Sequence, residues 1–291
     1  MDISLIFAAM AAFGYSVAAI FSKQALAQGC GIMRLSFVAN LVFVPIFALL
    51  LINAPSEPIP WGQIHQPVLT GLLFFLGQIF TFSAIRVGDV SLQTPVMGTK
   101  VVFVVLIALF LGTEQVSIQL ILASLCSMVA VALLGFSGGG ARRVGLTLTL
   151  AILSALFYAG SDTMVGAYGS AFGVPRFLFI TMLVNCLLSF LLLPFFSGSL
   201  RQITRQAWPW ICLAAIMMAL QALLVNYTIA RYQNVPAINV LYSSRGLWSV
   251  VLALPVALLF KLPRERLTAR MLWQRGAGAL LLSIAIGIVF S

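Results

Sequence analysis

The chain has 291 residues, of which 62% are hydrophobic and 8% charged, and its formal net charge is +10. A soluble domain cannot hide so much apolar surface, so the composition specifies an all-α polytopic membrane protein and leaves no polar stretch long enough for a separate soluble domain. The basic residues fall mostly in short stretches between apolar segments, which reads as topogenic charge and argues against nucleic acid as a partner.

About ten apolar segments follow one another. The first, about 3–26, carries Tyr15 and Ser22 and ends near Lys23. With no basic n-region and no small-residue cleavage site, it reads as a membrane helix, not a removed signal peptide. The second, about 31–52, has Arg34 at its mouth and Asn40 and Pro45 inside, and the third, about 65–87, contains Gln78. The fourth, about 89–112, holds Gln93, Pro95, Met97 and Lys100, and the fifth runs over about 118–136. The tract SGGGARR, 137–143, is the best linker candidate. Beyond it come segments at about 146–165 with Tyr158 and Asp162, 174–196 with Arg176 and Asn185, and 208–231 with Gln221 and Asn226. The last two are about 235–260, one helix with Tyr242, Arg245, Trp248 and Pro255, and about 271–290. Trp61, Trp208, Trp210 and Trp273 sit at segment ends, where interfacial anchors belong.

Lys100 is the costliest residue in this plan. A helix over 89–112 spans a bilayer core of roughly 30 Å, which leaves the ammonium near the midplane, where a charge requires water, a counter-ion or a ligand. Arg245 repeats the placement. Laying the chain from Arg231 on the chain from Arg86 without a gap puts Arg231 on Arg86, Val235 on Val90 and Arg245 on Lys100. The chain therefore reads as two five-helix halves, 1–138 and 139–291. An odd number of crossings makes the second half an inverted repeat, and a substrate site at the midplane between such halves is a transporter signature. Stretches after segments one, three, five, seven and nine carry Lys23, Arg86, Arg142, Arg143, Arg201, Arg205, Lys261, Arg264, Arg266 and Arg270. The positive-inside rule places that side in the cytoplasm and both termini outside.

The segment TFSAIRVGDVSLQTPVMGTKVVFVVLIALFLGTEQ, 81–115, and its weaker echo NYTIARYQNVPAINVLYSSRGLW, 226–248, resemble the EamA-like branch of the drug/metabolite transporter superfamily. The first resembles that family's passage from a helix end through a short turn into a proline-containing fourth helix and an acidic residue, here Glu114. The resemblance extends over essentially the whole chain. It implies ten helices, a central cavity lined by helices one, three, four and their repeats, and alternating access. It also implies cytoplasmic termini, against the loop charges. The phosphate-translocator and nucleotide-sugar branches are similar in using basic residues on helices four and nine to hold anionic groups, and Lys100 and Arg245 occupy comparable places. Arg245 is flanked by Ser244 and Gly246, so the adjacent Lys-Arg pair of sugar-phosphate translocators is missing.

The expectation is a secondary transporter, with no enzyme activity, of a small organic metabolite bearing a carboxylate or phosphate. A lipid-headgroup or polyprenyl-phosphate flippase of the same fold is the alternative. Lys100, Arg245, Asp162, Tyr158, Tyr242, Gln78, Gln93 and Trp248 are the candidate substrate contacts; the three charges sum to +1, a surplus cation for an anionic ligand. Asp162 is also the candidate for proton coupling. One histidine, His65, and four scattered cysteines form no catalytic or metal-ligand pattern, and no cofactor is expected. A cell (plasma or inner) membrane location is expected, as a monomer or a homodimer.

Overall fold

Within a bilayer every backbone N–H and C=O must be satisfied inside the protein, so apolar segments of this length fold as helices. The structure, a computed structural model, describes residues 3–54, 59–87, 96–112, 117–135, 144–259 and 269–290. The helices are α1 (Ile3–Ala27), α2 (Ile32–Ala48), α3 (His65–Val87), α4 (Thr99–Leu111), α5 (Ile118–Gly135), α6 (Val144–Phe172), α7 (Val174–Ser189), α8 (Trp208–Tyr232), α9 (Val235–Tyr242), α10 (Arg245–Leu259) and α11 (Ala269–Phe290). Short 3₁₀ turns extend α2 over Leu49–Asn53 and α7 over Phe190–Phe195.

Among the described residues, six helices are long and apolar enough to cross a membrane: Ile3–Ala27, Ile32–Ile52, Trp61–Val87, Val144–Phe172, Val174–Phe195 and Trp208–Tyr232. Shorter apolar helices cover Thr99–Leu111, Ile118–Leu134 and Trp273–Val289. The protein is thus a multi-pass, all-α membrane protein. The ninth segment, expected as one helix over about 235–260, is corrected: it is two helices, α9 and α10, parted at Ser243 and Ser244. There the amides of Ser244 and Gly246 donate three residues back, to Leu241 and Ser243, which tightens the turn and breaks the α ladder.

α3 packs along α6 and α1 along α8, while α5 packs against α11. α2 lies on α7 and α8, α3 also on α7, α4 on α6, and α9 and α10 on α1. Small residues permit the close approaches. A Cβ on Gly71 would lie 2.6 Å from the Thr181 carbonyl oxygen, and one on Gly77 would lie 2.9 Å from the Tyr158 ring. Hydroxyls that would otherwise face apolar surroundings bond back one turn, as Ser22 does to the Ala18 carbonyl and Thr228 to that of Leu224. Where α1 turns into α2, buried Arg34 donates to the carbonyls of Gly29 and Ser199, tying this turn to the connection after α7. Cys30 is buried in the same turn, and burial pushes its thiol pKa up against the opposing pull of Arg34.

Candidate functional site

A cavity of about 180 Å³ lies among α1, α3, α4, α5, α6, α8, α9 and α10. Each helix contributes side chains from the stripe it turns inward. α1 contributes Tyr15, α6 contributes Tyr158 and Asp162 one turn apart, and α4 contributes Lys100 from its first turn. α8 adds Gln221 and Asn226, Tyr242 closes α9, and Arg245 opens α10.

The charges are arranged unequally. Lys100 Nζ lies 2.6 Å from Asp162 Oδ2, with both side chains under 10% exposed. Two opposite unit charges this close in a weakly polar interior cancel in net charge and leave only the field of a dipole. The Arg245 guanidinium has no ion-pair partner among the described residues. It stands over two aromatic faces, 4.7 Å from the Tyr15 ring centroid and 4.6 Å from that of Tyr242. Cation–π contacts orient a guanidinium without neutralising it. The Tyr242 ring lies 5.7 Å from Lys100 Nζ as well, so one ring faces both cations.

Neighbouring groups hold this arrangement. The Tyr242 hydroxyl donates to Gln221 Oε1 at 2.7 Å, and the Gln221 amide nitrogen donates to the Met218 carbonyl. The Arg245 carbonyl accepts from Ser16 at 2.9 Å and from Ser249 at 2.8 Å, so the start of α10 is pinned on α1. Tyr158 packs edge-on against Phe74 and occupies the space left by Gly77. Gly77→Val should therefore displace the Tyr158 ring and lower stability by about 1–3 kcal/mol, as overpacking does. Thermal melting of the purified variant checks this, and an unchanged melting temperature would refute the close packing.

Of the eight residues singled out in the sequence, the fold brings Lys100, Arg245, Asp162, Tyr158 and Tyr242 to one cavity. Gln78 lies elsewhere: its amide exchanges two 3.0 Å bonds with Asn40, whose Oδ1 also accepts from Asn185. That buried amide cluster joins α2, α3 and α7. Trp248 packs edge-on against Phe13, outside the cavity lining. Gln93 lies outside the described residues. The cavity also takes in Tyr15, Phe74, Thr81, Gln221 and Asn226. Tyr15, Gln221 and Asn226 could be found as polar groups inside apolar helices; Phe74 has no such signal. Among the described residues no cluster of His, Cys, Asp or Glu could hold a metal ion.

Residues 2–136 match the model of the EamA-like transporter family. A solved crystal structure superposes with a TM-score of 0.73 at 15% sequence identity, covering 99% of this chain and 97% of its own. At that identity the likeness shows a shared fold. No curated protein matches the sequence. The matched model describes a family of transporters, and it covers 135 of the 291 residues.

Proposed function

We propose that the protein is a secondary, alternating-access transporter of a small organic molecule bearing a carboxylate or phosphate. Arg245 carries this reading. Its cation faces the central cavity with aromatic rings for company, beside a lysine whose charge an aspartate already matches. Lys100 and Arg245 each lie in the first turn of a helix, α4 and α10, at the end where the helix dipole favours a negative guest. Uptake of labelled carboxylates and phosphates into proteoliposomes tests the proposal. Saturable flux that Arg245→Gln removes is the expected result, and flux restricted to neutral or cationic solutes would overturn it.

Two inverted five-helix repeats, 1–138 and 139–291, fit the packing. Exchanging the halves turns the α3–α6 contact into the α1–α8 contact and α2–α8 into α3–α7, while α2–α7 and α5–α11 map onto themselves. The constant offset relating Arg86 to Arg231 and Lys100 to Arg245 also relates Asn40 to Asn185, which are hydrogen-bonded to each other. Ten crossings follow if α9 and α10 together form one. The basic stretches then put both termini on the non-cytoplasmic face of the cell membrane. A C-terminal alkaline phosphatase fusion should be active and a C-terminal green fluorescent protein dark; the opposite pattern would invert the orientation.

A further inference from the structure

A second, larger hollow of about 570 Å³ lies on the outer side of the central cavity, between α1, α8, α9 and α10. Its wall is apolar, with Leu5, Met10, Phe13, Met217, Leu220 and Trp248 among its residues. It opens outward: Met10 is 52% exposed and Leu220 42%, on the surface that faces lipid. The two hollows share Gln221.

The partition between them is one residue thick on three helices. On α1, Gly14 lines the groove and Tyr15 the cavity; on α9, Leu241 lines the groove and Tyr242 the cavity; on α10, Trp248 and Ser249 divide in the same way. Gln221 fills the gap among them. Its amide is tied to the Tyr242 hydroxyl, and the absence of a side chain at Gly14 makes room for it: a Cβ there would lie 3.2 Å from the Gln221 Cβ. Tyr242 and Gln221 thus stand in the partition between cation and groove. The polar cavity by itself is smaller than the roughly 300–1,000 Å³ of ordinary ligand pockets, whereas cavity and groove together fall within that range.

We infer that the substrate is an amphipathic anion that enters sideways from the bilayer, its charged group on Arg245 and its apolar chain in the groove between α1 and α8. This rests on the reading of Arg245 as the anion receptor and adds the substrate class and route. Gln221 is the gate residue: breaking its bond to the Tyr242 hydroxyl lets the chain lie across the partition. Trp248 and Phe13, packed edge to face at 5.3 Å, form the outer jamb.

The test uses the full-length protein in phosphatidylcholine nanodiscs and dodecanoate carrying a photoreactive diazirine at its terminal carbon. After illumination, peptide mapping should place adducts on Met10, Phe13, Met217 or Leu220, and unlabelled dodecanoate should compete where dodecanol does not. Leu220→Trp, at a lipid-exposed position that tolerates bulk, should cut labelling by about tenfold or more by filling the groove. Adducts spread over the lipid-facing surface, or absent from the groove while dodecanoate binding still depends on Arg245, would overturn lateral access and leave the anion site standing. Groove adducts undiminished in Arg245→Gln and equally competed by dodecanol would overturn the anion site itself, and the proposal with it.

Discussion

Arg245→Gln is expected to weaken binding of the transported anion by about 2–5 kcal/mol, the range for removing one partner of a desolvated charge pair. The variant should nonetheless fold. Arg245 has no carboxylate to strand, and what the native state loses is its two cation–π contacts, worth about 0.5–2 kcal/mol each. Removing a charge from the membrane interior offsets part of that loss. Arg245→Lys should fall between the two. The charge survives, but an ammonium lacks the flat guanidinium that lies between the Tyr15 and Tyr242 rings and can meet a carboxylate with two parallel bonds. Calorimetry on purified variants with a panel of carboxylates and phosphates is the measurement. Affinity unaltered in well-folded Arg245→Gln would end the anion-site reading.

Lys100 and Asp162 should behave differently, because their charges answer each other at 2.6 Å. Lys100→Met and Asp162→Leu are each expected to destabilise the protein by about 3–5 kcal/mol, since each strands a buried charge. The double variant strands none and should recover much of the loss. That non-additivity, read from thermal melting and yield in membranes, separates a structural ion pair from two independent ligands of substrate. Additive losses would mean that each group has another partner. Asp162→Asn supplies the second readout. If Asp162 couples protons to transport, the substitution should flatten the pH dependence of flux. Flux with the pH dependence of the parent would restrict Asp162 to its role as counter-ion.

The two cations have different surroundings, and the sequence contains part of the reason. Tyr242 stands three residues before Arg245, one turn back, and offers it an aromatic face. Met97 holds the same place before Lys100 and offers none. At the offset that sets Arg245 against Lys100, Val17 corresponds to Asp162, so the first half has no acid at the matching position. Which cation takes the acid is not legible from this pattern. It depends on α4 packing along α6, a contact between elements some fifty residues apart, whereas Arg245 is carried on α10 against α1.

By itself the sequence determined the membrane class, the helical segments and the cost of placing charge among them, because apolar length and the expense of a buried ion are properties of local composition. The offset that sets Arg245 against Lys100 is likewise counted along the chain. Only the tertiary structure decided that the ninth segment breaks at Ser243 and Ser244, that Gln78 satisfies its amide on Asn40, and that Trp248 turns away from the cavity toward Phe13. An amide or an indole inside an apolar helix must find a partner, but every helix face offers several. Which one it meets is settled when helices pack side by side, with Gly71 and Gly77 setting how closely α3 approaches α7 and α6.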